Sequence, residues 1–288
     1  GFVVHECQTS AIYQPHWKIK TSLRAPASQR LQSERRAIVI GAGLAGAAAA
    51  YSLSVRGWQV EVIDQHEQTG GGASGLPAGI FASHVSPDNN VLSRITRDGV
   101  RATAQRAAAL LRRGQEWDLS HLLEHRFSGK RELPIGDMWP QAGLDWSSDA
   151  QAEEKQLAGL HEETLALWHP MAGWIQTQSL VKAQLAHPQI TIRFGVSVSK
   201  LVRHELSWQL LDSSGQPIAR AHHVVIANAH GCQDLLDSVE ASEAISNDQR
   251  PLIPITPLRG QVTFGDMNLL SPNLKEQYFV KNLFQHLY

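Results

Sequence analysis

The sequence predicts an α/β fold, a Rossmann-like nucleotide-binding domain into which a second α+β module is inserted. Three stretches carry that expectation. "AIVIGAGLAGAAAAYSLSVRGWQVEVID", residues 37–64, has the order strand, glycine turn, helix, strand. "TGGGASGLPAG" follows where a nicotinamide dehydrogenase would continue at once with helix and parallel strand. "HHVVIANA" is a second continuous apolar run, expected to rejoin the parallel sheet about 160 residues after the second strand, which leaves room for an insertion.

Taken in order, "GFVVHE" and "HWKIKTSL" alternate like two short strands, and residues 21–35 are polar, with Pro and Ser, and form a linker. "AIVI" is apolar throughout, as a strand buried on both faces must be. The helix "LAGAAAAYSLSVRG" stops at Gly57, and "WQVEVID" is the second strand. A long arginine-bearing helix is expected from about Asn90 to Trp117. Residues 118–170 mix turns with a helical segment around "AEEKQLAGLHEETLALWH". An amphipathic helix, "TQSLVKAQLAH", halts at Pro188. A β-rich run then comprises "ITIRFG", "VSVSKLVR", "LSWQLLD", the turn "SSGQ" and "HHVVIANA".

Composition sets the bounds. A formal net charge of −1 gives no global attraction to nucleic acid or anionic membrane, so such a contact must be a local patch. The two cysteines, Cys7 and Cys232, fit no metal or CxxC spacing and are expected to be reduced thiols. No apolar run approaches the roughly 20 residues a membrane span needs. The first residues lack the pattern of a signal peptide, so a cytoplasmic location is expected.

The glycine turn explains itself physically. Gly41, Gly43 and Gly46, with Ala42, Leu44 and Ala45 between them, form GxGxxG. The first glycine permits the tight turn, the second lets backbone approach a pyrophosphate, and the third lets helix and strand pack closely. Helix N-terminal amides then face the phosphates. Asp64 ends the second strand, where a carboxylate accepts hydrogen bonds from a ribose diol and repels a 2′-phosphate. Two features favour FAD over a nicotinamide cofactor: the delayed return strand, and the small-residue loop "GGGASGLPAG" with its Ser74 hydroxyl.

Those segments, with "GASGLPAGIFASHVSPDNN", "LSRITRDGVRAT", "AGWIQTQSLV", "VVIANA" and "PLRGQV", resemble the D-amino-acid oxidase-like FAD oxidoreductases from about Arg36 to Gly265. More narrowly, the chain is similar to the C-terminal oxidoreductase module of bifunctional proteins that modify the wobble uridine of certain tRNAs. The resemblance implies a domain over 36–265, its FAD part at about 36–90 and 190–235. Residues 1–20 are similar to the end of a preceding methyltransferase domain, and 266–288 are unassigned. It implies that FAD oxidises a secondary amine of the tRNA and removes a carboxymethyl arm from carboxymethylaminomethyluridine. The methyltransferase module would then use S-adenosylmethionine on the resulting amine. It further implies that Ala73, Ser74 and Gly75 line the ribityl and flavin region. Val198 would offer backbone to adenine, Ala227 would close over the cofactor, and Arg259 is a candidate for the substrate carboxylate. A small-molecule amine oxidase acting on glycine or sarcosine shares the same FAD residues. Only Asp266–Tyr288 follow "RGQVTFG", without the family's further Gly-bearing segment, so the chain reads as a piece of a larger protein or a disrupted, inactive remnant.

On the long helix, Arg94, Arg97 and Arg101 fall at i, i+3 and i+7. From Ser93 to Arg113 there are six arginines against one aspartate, a local excess able to meet tRNA phosphates unless it is an ordinary solvated face. Trp139, Trp146 and Trp174 are the residues able to stack on bases, with packing as the alternative. The fourteen histidines show no HxxxH pattern, so no metal site and no catalytic base is assigned among them.

Overall fold

The computed structural model describes residues 2–4, 11–13, 35–86, 88–125, 141–239 and 283–284. The chain divides into two units, residues 1–35 and 36–288. In the first, β1 (Phe2–Val4) pairs antiparallel with β2 (Ala11–Tyr13). The partner of the opening strand is therefore Ala11–Tyr13; "HWKIKTSL" and the linker lie outside the described residues apart from Arg35.

The second unit is built on a parallel sheet. β3 (Arg36–Ile40) leads through the glycine turn into α1 (Leu44–Ser54), and β4 (Gln59–Ile63) returns beside it. After β5 (Gly79–Phe81) comes α2 (Val91–Leu110), capped by Asn90, whose side chain accepts from the Ser93 N–H at 3.0 Å. The helix ends before Trp117, where sequence placed its end. Leu111 is extended, and the Glu116 carboxylate takes the Arg112 N–H at 3.0 Å, which closes a turn instead of another helical repeat.

Next come β6 (Trp117–Asp118), β7 (Leu122–His125), α3 (Gln141–Leu144), β8 (Ser148–Asp149), α4 (Ala152–Leu157), β9 (Ala166–His169) and β10 (Gly173–Ile175). They form two small sheets, ordered β5-β10-β6 and β7-β9-β8. The second is extended at its β7 edge by the parallel strand Leu283–Phe284. A buried hydrogen-bond chain holds them: Ser83 Oγ lies 3.3 Å from Ser147 Oγ, and Ser147 Oγ lies 2.8 Å from His169 Nδ1. His169 Nε2 is 3.3 Å from Glu124. With Ser147 and His169 buried and Glu124 partly so, this Ser–His–Glu set is read as a structural clasp.

α5 (Thr177–Leu185) returns the chain to the parallel sheet through β11 (Ile190–Arg193), which pairs with β4. The sheet is thus rejoined earlier than the apolar "HHVVIANA" suggested. Among the described residues β11 is an edge strand, half covered, so it alternates and resembles the antiparallel strands after it. Those strands are the meander β12 (Lys200–His204), β13 (Ser207–Leu211) and β14 (Pro217–Ala221). Asp212 closes the β13–β14 turn, and its carboxyl is held below the ordinary range by the Ser214 hydroxyl first and then by the Gln216 N–H. β15 (His223–Ile226) then pairs parallel with β3, giving the order β11-β4-β3-β15, and α6 (Cys232–Asp237) follows.

The period of two along the central strands sorts the core into two layers. Val39, Val60 and Val62 face α1 and α5, where they meet Ala47, Ala50, Val181 and Leu185. Ile38, Ile40 and Ile63 face the meander and α6, meeting Leu201, Leu210 and Leu235. Both faces of β3 are covered, which is why it is apolar from Ala37 to Ile40, whereas β4 alternates, with Gln59 and Glu61 on either side of buried Val60. Among the described residues no helix is long and apolar enough to cross a membrane.

Candidate nucleotide site

β3 has β4 on one side and β15 on the other, so the chain leaves its two flanks in opposite directions and a crevice opens at its carboxyl end. The glycine turn lies there. Gly41 donates to the Ile63 carbonyl at 2.8 Å, and Ala227 donates to the Ile40 carbonyl at 2.8 Å. Gly41 has φ +110°, and a Cβ on it would strike the Ala227 carbonyl. A Cβ on Gly46 would run into the Gly41 carbonyl, so α1 can seat on β3 only without one.

α1 starts with bare amides. Gly43 is its N-cap and offers no side-chain acceptor, and the first turn carries no acid. The positive end of the helix is thus left for an anion. One outside group reaches it: Ser74 Oγ accepts from the Leu44 N–H at 3.0 Å. A Cβ on Gly43 would meet that same oxygen at 3.0 Å. Ser74 sits in a short 3-10 turn, Ala73–Gly75, that other residues fix in place. Gly70 donates to the Ala42 carbonyl (3.1 Å), Thr177 Oγ1 to the Leu76 carbonyl (2.6 Å) and Gln178 Nε2 to the Gly75 carbonyl (3.1 Å). The start of α5 therefore carries the loop to the N-terminal end of α1.

Asp64 closes the opposite side, its side chain 10% exposed. Oδ2 accepts from the Ala42 N–H at 2.6 Å; Oδ1 accepts from the His66 N–H and lies 2.8 Å from the His66 ring. Val196 donates to the Asp64 carbonyl at 3.0 Å, bringing the loop after β11 to the end of β4. Val198, two residues on, is half-buried against the Ile38–Leu201 layer. Asn228, beside Ala227, keeps a buried Oδ1 without a hydrogen-bond partner. A glycine cradle, a helix start with no side-chain cap of its own and no acid in its first turn, a carboxylate just past the end of β4 and a buried amide oxygen without a hydrogen-bond partner together fit a dinucleotide.

The structure thus brings together Gly41, Ala42, Gly43, Leu44, Ala45, Gly46, Asp64, Ser74, Gly75 and Ala227. Ala73 is exposed at the front of the loop, and Arg259 and Trp139 lie outside the described residues. Sequence reasoning missed His66, Thr177, Gln178 and Asn228. Only the "TQ" opening α5 carried a local signal, as polar residues at a helix start.

The arginine face is corrected. Arg97 is 8% exposed and donates to Asn89 Oδ1 at 2.6 Å. It lies on the buried stripe of α2 with Ser93, Val100 and Ala107, and the i, i+4, i+7 spacing from Ser93 puts it under the helix. Arg101 pairs with Asp98 and stacks on Trp146 at 4.7 Å; Arg106 stacks on Tyr51 at 4.3 Å. Arg112 and Arg113 pair with Glu116 and Asp118. Much of the cationic excess is spent on the protein's own side chains. Arg94 stays exposed, Trp146 is buried beneath Arg101, and Trp174 is half-buried in β10.

Residues 36–279 match the family model described as DAO, FAD dependent oxidoreductase. A protein of Polaromonas naphthalenivorans (strain CJ2) named "tRNA 5-methylaminomethyl-2-thiouridine biosynthesis bifunctional protein MnmC" is 42% identical over 257 residues, which are 88% of this chain and 39% of that protein. The protein of that name from Verminephrobacter eiseniae (strain EF01-2) is 41% identical over 283 residues, 92% of this chain and 42% of its own. The chain thus spans about two fifths of the length of these curated relatives. Among solved structures, glycine oxidase from Geobacillus kaustophilus superposes with a TM-score of 0.58 at 19% identity, over 70% of this chain and 58% of that one.

Proposed function

Since the chain belongs to the FAD dependent oxidoreductase family DAO, we propose that it is the flavin-dependent half of a bifunctional tRNA-modifying protein, acting on a carboxymethylaminomethyl group at the wobble uridine. The observation that carries this reading is the identity of 42% to a relative whose name gives tRNA 5-methylaminomethyl-2-thiouridine biosynthesis, over 88% of this chain. A covalently linked methyltransferase module using S-adenosylmethionine and a cytoplasmic location belong to the same proposal.

Bound FAD supplies the acceptor for two electrons from the C–H beside the amine nitrogen. The chain's residues do the holding. Gly41, Gly43, Gly46 and the α1 amides take the pyrophosphate, with Ser74 Oγ beside the Leu44 N–H. Asp64 receives the adenosine ribose, Ala227 walls the crevice over Gly41, and Val198 offers backbone to the adenine. Arg259 anchors the substrate carboxylate, a task its planar fork suits. Arg94 and, two turns on, Arg101 with its Asp98 partner are the exposed arginines of α2 for a tRNA phosphate; Arg97 is withdrawn from that role by its burial.

The test is to incubate the FAD-loaded chain with tRNA carrying carboxymethylaminomethyluridine and to analyse the nucleosides by mass spectrometry. The proposal expects the aminomethyl nucleoside, and little turnover of free glycine or sarcosine. Oxidation of those amino acids with untouched tRNA would replace it with a small-molecule amine oxidase, and a chain inert toward all of them would mark an inactive remnant.

A further inference from the structure

We infer that the His66 side chain and the adenosine ribose compete for Asp64, so that His66 sets how tightly the site holds a nucleotide diol. The inference rests on the assignment of Asp64 to the ribose.

The acceptor positions of the carboxylate decide it. An ionised carboxylate offers about four of them and donates nothing. Three are in use: Oδ2 takes the Ala42 N–H at 2.6 Å, and Oδ1 takes both the His66 N–H and the His66 ring at 2.8 Å. Because the acceptor has no proton to give, Nδ1 carries the hydrogen of the ring contact. A ribose diol brings two O–H donors to a carboxylate with one position left. One of the three present donors must yield. The two backbone donors are fixed, Ala42 by the turn that Gly41 locks to Ile63, and His66 by its own carbonyl accepting from Gly195 at 3.0 Å. The ring is the movable one: the His66 side chain is 43% exposed and turns about its own bonds.

Its neighbours define what it leaves. The ring lies against Gly71, where a Cβ would collide with it, so it bridges the ribose acid and the loop that carries Ser74. Glu67, next in sequence, points toward Gly195, 3.0 Å from a Cβ built there, and does not share the Asp64 bond. His66 thus keeps Asp64 oriented while holding a place that the diol needs.

Calorimetric titrations of the full chain with ADP and with 2′,3′-dideoxy-ADP test this, for the wild type, His66→Ala and His66→Phe. Phenylalanine keeps a ring over Gly71 and removes only the Nδ1 donor, so it reports even if alanine loosens the loop. One net hydrogen bond corresponds to a gain of roughly five-fold in ADP affinity for both variants, with dideoxy-ADP unchanged. An ADP affinity that stays the same or falls in His66→Phe, while the wild type still prefers ADP to its dideoxy analogue, overturns the competition and leaves Asp64 as the ribose acceptor. A wild type that does not distinguish the two ligands overturns the ribose assignment and this inference with it.

Discussion

Gly46→Ala abolishes flavin retention in this account, although it adds a single methyl group. The new Cβ has nowhere to go, because the Gly41 carbonyl stands in its place and Val39 closes the side at 3.4 Å. α1 must lift from β3, and lifting it moves the Gly43 and Leu44 amides away from the position of the pyrophosphate. Overpacking a tight contact costs about 1–3 kcal/mol of stability. Losing the amide cradle removes charge-assisted bonds of about 1.5–3 kcal/mol each, which together put the fall in FAD affinity at roughly 100-fold or more. Gly99→Ala is the matched control: it lies within α2 with nothing inside 4 Å of its Cβ. That variant gains about 1 kcal/mol of helix stability and keeps its flavin. Flavin absorbance after gel filtration, with urea unfolding of each variant, separates the two effects. A Gly46→Ala protein that retains stoichiometric FAD would show that the close approach of α1 to β3 is not required.

Asp64→Ala removes the acceptor for the Ala42 N–H, the His66 N–H and the His66 ring together with the proposed ribose anchor. With hydrogen bonds to charged groups worth about 1.5–3 kcal/mol, FAD binding weakens by roughly 10- to 100-fold. Asp64→Asn falls between, since its carbonyl oxygen still accepts from Ala42 but its amide brings a donor to the side where His66 already donates. Flavin fluorescence titrations measure both. An unchanged dissociation constant in Asp64→Ala would detach the carboxylate from the nucleotide altogether.

The cradle was legible in the sequence because its parts are local and stereochemically singular. Gly41 needs a positive φ, Gly46 admits no Cβ, and Asp64 directly follows the second strand. Ser74 was legible for a related reason, being the hydroxyl in a run of small residues. What holds Ser74 was not. Thr177 and Gln178 reach their partners across about a hundred residues of chain, and nothing in a local window announces such a bond. Arg97 misled because charge was read before helical phase: its i−4 and i+3 neighbours, Ser93 and Val100, already marked a covered stripe. β11 misled because an edge strand alternates in the same way as an antiparallel one. His66 left no signal, since its significance lies in the acceptor positions of Asp64 and not in any spacing.

The central claim is that this chain reads the adenylate half of a flavin dinucleotide through the glycine turn and Asp64. Parallel titrations of the purified chain with FAD and with FMN test it most directly, because FMN carries the flavin and one phosphate but no pyrophosphate bridge and no adenosine ribose. The account predicts saturable one-to-one binding of FAD, tighter than FMN by roughly 100-fold or more if two or more charge-assisted bonds are made to the missing half. Equal affinities for FAD and FMN, or no binding of either, would contradict it.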